Sequence, residues 1–352
     1  MQLEKYGWNE EFERQFRKQA GEGRQPGRVF VEHKGMYGLL TEEGQLQGEV
    51  SGKFRYGAAG IDAFPAVGDW VVMEPRPGSD MATIHAILPR RSRFSRKVAG
   101  ALTQEQVVAA NFDHVFIINS LNRDFNLRRL ERYLTMAWES GAGPVIVMSK
   151  KDLCSEAAER IREVEAIAFG VPVHAVSAVT GEGMDEIRGY LKPGRTVVFL
   201  GSSGVGKSTL TNQLAGSEIM DVNGIREDDS RGRHTTNFRQ LVVLPESGIV
   251  IDTPGMRELQ LWDADEGLQG AFRDIDSIAE GCRFKDCRHH SEPGCAVKES
   301  IQAGLLPAER LESYRKLQKE LFFLESKLSQ AARLAGKKND KLLSKYVKSI
   351  RQ

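Results

Sequence analysis

What most restricts the fold of this 352-residue chain is the order of its nucleotide-site motifs. GSSGVGKST, from Gly201 to Thr209, has the phosphate-loop pattern G-x-x-x-x-G-K-S. The apolar run RTVVFL before it and TLTNQLAG after it supply the strand and helix that the pattern requires. In the common arrangement such a loop comes first. Here VIVMSKKDL, with Ser149, Lys150 and Asp152, and VSAVTGEG, with Ser177 and Ala178, both precede it. GRHTTN, around Thr235 and Thr236, and DTPG, from Asp252 to Gly255, come after. The pieces of one site are all present, circularly permuted along the chain.

Each piece has a physical task. Glycines at 201, 204 and 206 let the backbone N–H groups of the loop, which also contains Ser202, Ser203 and Val205, face phosphate. The helix starting near Lys207 adds the positive end of its dipole. Lys207 is expected to reach the β- and γ-phosphates, and the hydroxyl of Ser208, just before Thr209, is the expected magnesium ligand, because magnesium prefers oxygen and bridges phosphate oxygens. GIVIDTPG reads as a buried strand ending in an acid. Asp252 should hold the magnesium through water, and the N–H of Gly255 should meet the γ-phosphate. For GSSGVGKST a plain glycine turn between strand and helix is the competing reading. Met256 stands where a Ras-like enzyme places its water-orienting glutamine, and a thioether neither orients nor deprotonates water. His234, beside Thr235 and Thr236 in the expected first switch, is the nearest polar candidate for that catalytic task; the alternative is a solvated loop residue.

The earlier motifs separate guanine from adenine. The Asp152 carboxylate can accept two hydrogen bonds from the N1 and N2 edge of guanine, and adenine offers no such pair of donors. Lys150 would lie over the base, and the N–H of Ala178, after Ser177, would point to the guanine O6. The usual asparagine at the head of this motif is Ser149, whose shorter hydroxyl is expected to weaken the brace to the phosphate loop. Taken alone, S-K-x-D is more often a charged loop after a strand; the second motif after VPVHAV favours the functional reading.

Three of the four cysteines fall together in CRFKDCRHHSEPGC. Cys282, Cys287, His289 and Cys295 form C-x4-C-x-H-x5-C, three sulfurs and an imidazole that suit one tetrahedral, structural zinc with no position open for catalysis. His290 could substitute for His289. A disulfide is the alternative, but MQLEKYGWNE carries no apolar signal segment and the chain has no run of transmembrane length, so a reducing cytoplasm is expected. Cys154 reads as a packed or idle thiol.

These residues together resemble the RsgA family of circularly permuted, small-subunit-dependent GTPases. The resemblance extends upstream through VSGKFRYGAA, FPAVGDWVV, LPRRSRFSRK and FNLRRLERYL, and so covers roughly residues 28 to 300. It implies a multidomain chain: an N-terminal OB-fold β-barrel, a central permuted α/β P-loop GTPase domain and a C-terminal α-helical zinc-binding domain. It further implies hydrolysis of GTP to GDP and phosphate, and action on the late, immature small ribosomal subunit through rRNA contact.

Length alone calls for two or three domains, since single cores stop growing near about 250–300 residues. We place an extension at 1–27, the barrel at 28–92, the GTPase domain at 93–265 and the zinc domain with its basic tail at 266–352. Five short β-rich runs, including QLQGEVSGKF, fit a small closed barrel, and pattern alone does not separate OB from SH3-like barrels. Lys53, Phe54, Arg55 and Tyr56 are candidate nucleic-acid contacts, with Phe54 equally suited to the core. Leu127, Leu130, Leu134 and Trp138 recur at helical spacing, and 308–334 reads as a long helix whose Leu317, Leu321 and Leu324 pack on the zinc module. The formal charge is only +1, which argues against a uniformly basic RNA binder. PRRSRFSRK carries five basic residues without an acid, and the tail from Lys337 carries six against Asp340; either could touch phosphate or be solvated linker. A monomer without membrane attachment is expected. Gly204 occupies the place where some potassium-using GTPases carry asparagine, which argues against potassium. Two other classes stay open: a P-loop phosphotransferase, which would not need a guanine motif, and an RNA-binding protein that holds GTP without hydrolysing it.

Overall fold

The structure, a computed structural model, describes residues 3–97, 105–122, 124–220, 239–245, 247–252, 265–323 and 326. Five strands near the N-terminus close on themselves: β1 (Gln25–His33), β2 (Met36–Leu40), β3 (Gln45–Val50), β4 (Trp70–Pro75) and β5 (Met81–Ile87). Around the barrel the order is 1-2-3-5-4-1, antiparallel except where β3 runs parallel to β5. This Greek-key order is that of the OB barrel, the choice hydropathy left open. Val29, Leu39, Val71, Met73 and Ile84 fill the interior.

The run expected to be β through SGKF instead breaks at Ser51. Its hydroxyl accepts the Phe54 N–H at 3.1 Å and caps a short helix, α2 (Gly52–Gly57). Phe54 turns inward, 6.0 Å from the Phe64 ring, while Lys53 and Arg55 are exposed and Tyr56 is 95% exposed. Before the barrel, Asn9 caps α1 (Glu10–Arg17), and Trp8 and Phe12 pack on Trp70 at ring separations of 4.7 and 5.9 Å. Trp70 and Val72 face this helix while Val71 and Met73 face inward, the two-residue period of a strand covered on both sides. Burial of each large apolar side chain contributes about 1.5–3 kcal/mol, so the N-terminal segment is part of the barrel's packing.

The basic stretch after β5 is only partly solvated. Arg90 turns inward, pairs with the buried Asp69 at 2.8 Å and donates to the carbonyls of Asp62 and Phe64. Arg91 lies 4.9 Å from the Phe12 ring. From Arg93 the chain forms β6 (Arg93–Lys97), antiparallel to β7 (Glu105–Ala110). Arg28 joins these parts: its buried guanidinium donates to the carbonyls of Tyr6, Gly68 and Asn111 and to the hydroxyl of Thr196. Burial lowers its pKa to about 9, against the opposing pull of Asp113, so it stays charged at neutral pH.

Beyond the junction lie β8 (His114–Ser120), β9 (Gly143–Ser149), β10 (Val173–Ala175), β11 (Thr196–Leu200), β12 (Gln240–Val243) and β13 (Ile249–Asp252). Their order is β10-β9-β8-β11-β13-β12, parallel except for β12. Val115, Ile117, Ile146, Met148, Val198 and Leu200 enter the core on one face. Phe116, Ile118, Val145, Val147, Val197 and Phe199 enter the other, which is why these strands read as unbroken apolar runs. At the far edge Gln240 of β12 pairs with Val31 of β1, so barrel and α/β sheet form one hydrogen-bonded order.

The C-terminal module comprises α7 (Asp265–Ala271), α8 (Arg273–Ala279), α9 (Ala296–Gln302) and a helix over 308–323, α10. It packs on α3 (Leu127–Glu139): Leu130, Tyr133 and Leu134 share one core with Phe272, Ile275, Val297, Leu311, Leu317 and Leu321. The leucines of α10 thus serve the α/β domain as well as the zinc module; Leu324 and the basic tail lie outside the described residues. A buried ionic cluster reinforces the seam. Arg310, 2% exposed, donates to Glu131 at 3.0 Å and to Asp274 at 2.9 Å, and Ser313 donates to Glu131, which is fully buried. Arg132 and Glu320 form a second, two-pronged pair at 2.7 Å. Removing one partner of a buried pair strands the other charge and typically costs about 3–5 kcal/mol. Arg128, half-exposed, also pairs with Glu131 at 3.0 Å, so Arg310→Ala is expected to lower the thermal stability of this module by at most that amount, read by calorimetry; an unchanged transition would mean that Arg128 and Ser313 suffice to hold the Glu131 charge.

Candidate functional site

All four motifs that the structure describes sit at the C-terminal ends of parallel strands, the phosphate loop after β11, S-K-x-D after β9, the S-A pair after β10 and Asp252 closing β13. In open α/β sheets the crevice beyond these strand ends is where ligands bind. The permutation leaves this geometry unchanged because the sheet, rather than chain order, places the loops.

The phosphate loop is shaped by its glycines. A Cβ at Gly201 would lie 2.5 Å from the Ile118 carbonyl oxygen, and Gly204 and Gly206 hold φ of +80° and +98°, which side chains disfavour. α6 (Lys207–Ala215) begins directly after, so the first N–H groups of the helix open onto the loop. The Lys207 ammonium bridges the carbonyls of Gly201 and Ser202 at 2.9 and 2.8 Å, and Ser208 and Thr209 follow on the first turn. Asp252 is buried at the end of the adjacent β13. Ser208 and Asp252 offer a hydroxyl and a carboxylate oxygen, the donor chemistry magnesium selects.

The S-K-x-D segment is fastened to this loop. Ser149, buried at the end of β9, donates through its hydroxyl to the Val205 carbonyl at 2.7 Å, so the brace expected to be weakened is made by the shorter side chain after all. Lys150, at φ +59°, reaches the Gly204 carbonyl at 2.6 Å. Asp152 stands exposed on the following turn, free of the wall of the sheet. The Lys151 N–H donates to the Val176 carbonyl and its ammonium pairs with Glu182 at 2.6 Å, which ties this turn to the loop bearing Ser177 and Ala178. Ser177 is buried, and its hydroxyl accepts the Thr180 N–H. Ser203, like Gly204, is exposed on the open side of the phosphate loop. His234, Thr235, Thr236, Gly255 and Met256 lie outside the described residues.

The metal set also assembles. One ligand atom from each of Cys282, Cys287, His289 and Cys295 lies within 4.8 Å of the others. The Cys282 and Cys295 sulfurs are 4.0 Å apart, and the His289 Nδ1 is 3.7 and 3.4 Å from them. Metal–sulfur bonds near 2.3 Å and metal–nitrogen bonds near 2.0 Å place tetrahedral ligands at about such separations, so these residues could hold a metal such as zinc. His289 is buried and His290 exposed, which decides between the two histidines. Sequence reasoning missed the support around them. The Glu292 carboxylate accepts N–H bonds from Arg288, His290 and Ser291, and Arg315 of α10 donates to the His289 carbonyl. Its own backbone N–H first, then those three, hold the Glu292 carboxyl down at about 2.

Comparison with known proteins agrees with this geometry. A family model described as RsgA GTPase matches residues 87–262, and a Lactiplantibacillus plantarum protein named small ribosomal subunit biogenesis GTPase RsgA 2 is 47% identical over 326 residues, 92% of this chain and 91% of its own length. The chain belongs to the RsgA GTPase family. It is accordingly a GTPase. A second RsgA relative, from Syntrophotalea carbinolica, is 42% identical over 361 aligned residues spanning 100% of this chain and 98% of the relative. Among solved structures, YjeQ from Thermotoga maritima aligns with a TM-score of 0.64 at 28% identity, covering 85% of this chain and 99% of that one. YloQ, described as a circularly permuted GTPase, shares the fold with a TM-score of 0.60 at 23% identity, over 85% and 96%. Among the described residues no helix is long and apolar enough to cross a membrane.

Proposed function

We infer that this protein is a GTP-hydrolysing assembly factor for the small ribosomal subunit, acting in its late maturation in the cytoplasm. The observation that carries the reading is the joining of a guanine-type S-K-x-D turn to a phosphate loop through Ser149 and Lys150, in a chain whose relatives are named small ribosomal subunit biogenesis GTPases. Asp152 reads the guanine N1 and N2 edge, Lys150 covers the base and the Ala178 N–H meets O6. The loop from Gly201 to Thr209 cradles the phosphates with Lys207. Ser208 and Asp252 would hold magnesium, which would neutralise the charge that develops on the phosphates. Gly255 contacts the γ-phosphate, and His234 with Thr235 and Thr236 completes the site around the attacking water. Zinc fills the Cys282, Cys287, His289 and Cys295 set, one per chain, as a structural staple. A monomer docks on rRNA through the barrel, where Lys53, Arg55 and Tyr56 stand exposed, and leaves after hydrolysis.

Base choice gives the most direct test. Asp152→Asn should weaken GTP and favour xanthine nucleotide, whose C2 carbonyl can accept from the new amide. Hydrogen bonds to a charged group are worth about 1.5–3 kcal/mol, so the loss should be roughly ten- to a hundredfold. Titration with fluorescent guanine and xanthine analogues reads both affinities, and equal GTP binding in variant and parent removes Asp152 from the site. Sedimentation with purified small subunits, in the presence of a non-hydrolysable GTP analogue, tests the partner; failure to co-sediment at low salt removes the ribosomal reading.

A further inference from the structure

One contact of the phosphate loop, made by the buried Ser202 to a half-exposed acid, joins it to a residue outside all of the motifs. The hydroxyl of Ser202 donates to the Asp124 carboxylate at 2.6 Å, a length typical of a bond to a charged acceptor. Asp124 lies in the turn between β8 and α3, 78 residues earlier in the chain. The described residues of that turn are themselves tied by hydrogen bonds. The Ser120 hydroxyl and the Asp124 N–H both donate to the Asn122 side-chain oxygen, at 2.8 and 3.3 Å, and Arg160 from α4 (Ala157–Glu165) donates to the Leu121 and Asn122 carbonyls. Arg129, on the first turn of α3, grips the Asp124 carboxylate at 3.0 and 2.9 Å and also donates to its carbonyl.

Residue 202 is consequently held at both ends. Lys207 takes its carbonyl at 2.8 Å from the nucleotide side, and Asp124 takes its hydroxyl from behind. A phosphate cradle made of backbone N–H groups works only if those groups converge before the ligand arrives, because ordering them on binding subtracts from affinity. Ser202 follows Gly201, whose close approach to Ile118 leaves the loop no side chain there by which to anchor itself.

We propose that Asp124, clamped by Arg129, is a positioning residue that pre-sets the phosphate loop through the Ser202 hydroxyl. The same clamp ties the loop to α3, which the Glu131–Arg310 and Arg132–Glu320 pairs join to the C-terminal module. The proposal rests on the guanine-nucleotide reading given above. Asp124 touches no substrate; it acts through Ser202.

A fluorescent GDP analogue, titrated in magnesium buffer into the full-length parent, Asp124→Ala, Ser202→Ala and the double variant, tests it. Each single variant should bind about tenfold more weakly, and the double variant should bind no more weakly than either single one, because both remove the same bond. Asp124→Asn keeps an oxygen acceptor and should recover to within about threefold of the parent. In turnover by Asp124→Ala, which lies outside the nucleotide-binding loop, the loss should fall on KM, with kcat at saturating GTP within about twofold, a split that general destabilisation does not produce. Ser202→Ala, which removes a single oxygen, serves if Asp124→Ala does not fold. Parent-like affinity in both single variants, or losses that multiply to about a hundredfold in the double variant, overturns the proposal alone. A parent that binds no GDP overturns it together with the guanine reading.

Discussion

Purified small ribosomal subunits are expected to raise GTP turnover by this protein about 10³- to 10⁵-fold at low salt, the range over which activators of other GTPases complete an incomplete site. The reason lies in the residue that follows DTPG. Lys207 bridges two loop carbonyls, Asp252 closes β13 and Ser208 lies on the first turn of α6; these are the groups we assign to GTP and magnesium. Met256 stands where a water-orienting group would be, and a thioether cannot supply one. We assign that task to His234, which lies beside Thr235 and Thr236 in the sequence and which docking on the subunit would bring to the attacking water. His234→Ala should then lose most of the stimulation while binding GTP nearly as the parent does, whereas Lys207→Ala should lose binding itself. Stimulation should also fall steeply with salt, because docking on rRNA releases counterions from phosphate. Turnover unmoved by subunits at low salt would defeat the ribosomal reading. Equal stimulation of His234→Ala would leave that reading standing and release the histidine.

Loss of the C-terminal metal should have the next largest effect. Purified protein is expected to carry close to one zinc per chain, and Cys287→Ser to carry almost none. Changing the supporting residues of a metal site already costs about ten- to a hundredfold in affinity, and loss of a ligand should cost at least as much. Structural zinc sites contribute about 10–16 kcal/mol of binding free energy that is coupled to folding. Within Cys282–Cys295 the Glu292 carboxylate and Arg315 add hydrogen bonds around the ligand set, whereas α10 is tied to α3 by the ion pairs of Arg310 and Arg132. The variant should therefore become sensitive to limited proteolysis within 282–295 while 308–323 stays protected. Acid should release the metal, because thiolates and imidazole take protons as pH falls. Glu292, with its carboxyl held at about 2, keeps its charge through that titration, so the release reports the ligands and not the brace. A full zinc complement in Cys287→Ser, or a disulfide in the parent, would sink this assignment.

The motifs were legible because each needs particular residue types at fixed spacing. Gly201, Gly204, Gly206 and Lys207 act within one turn, and Cys282 to Cys295 within one loop. The apolar strands were legible for a similar reason, since burial on both faces leaves no polar position to interrupt them. Illegible features were those in which distant residues meet. Nothing in the sequence pairs Asp124 with Ser202, or Arg28 with Thr196. Arg90 looked like one more charge in a basic run until Asp69 enclosed it. SGKF reads as strand because it continues QLQGEV, and a single capping hydroxyl on Ser51 decides otherwise. Ser149 was underestimated because the reach of its side chain was judged without knowing that the Val205 carbonyl stands 2.7 Å from its hydroxyl.

The pairing of β12 with the barrel bears on how safely the chain keeps to itself. A strand at the edge of a sheet presents unpaired N–H and C=O groups on which another chain can add. In the main sheet one edge of the α/β half is β10, only three residues long, and the other, β12, is met by β1 at Gln240. The barrel closes through β1 and β4 and so contributes no edge of its own. Among the described residues the barrel thus covers, at the start of β12, one backbone position on which another chain could otherwise add.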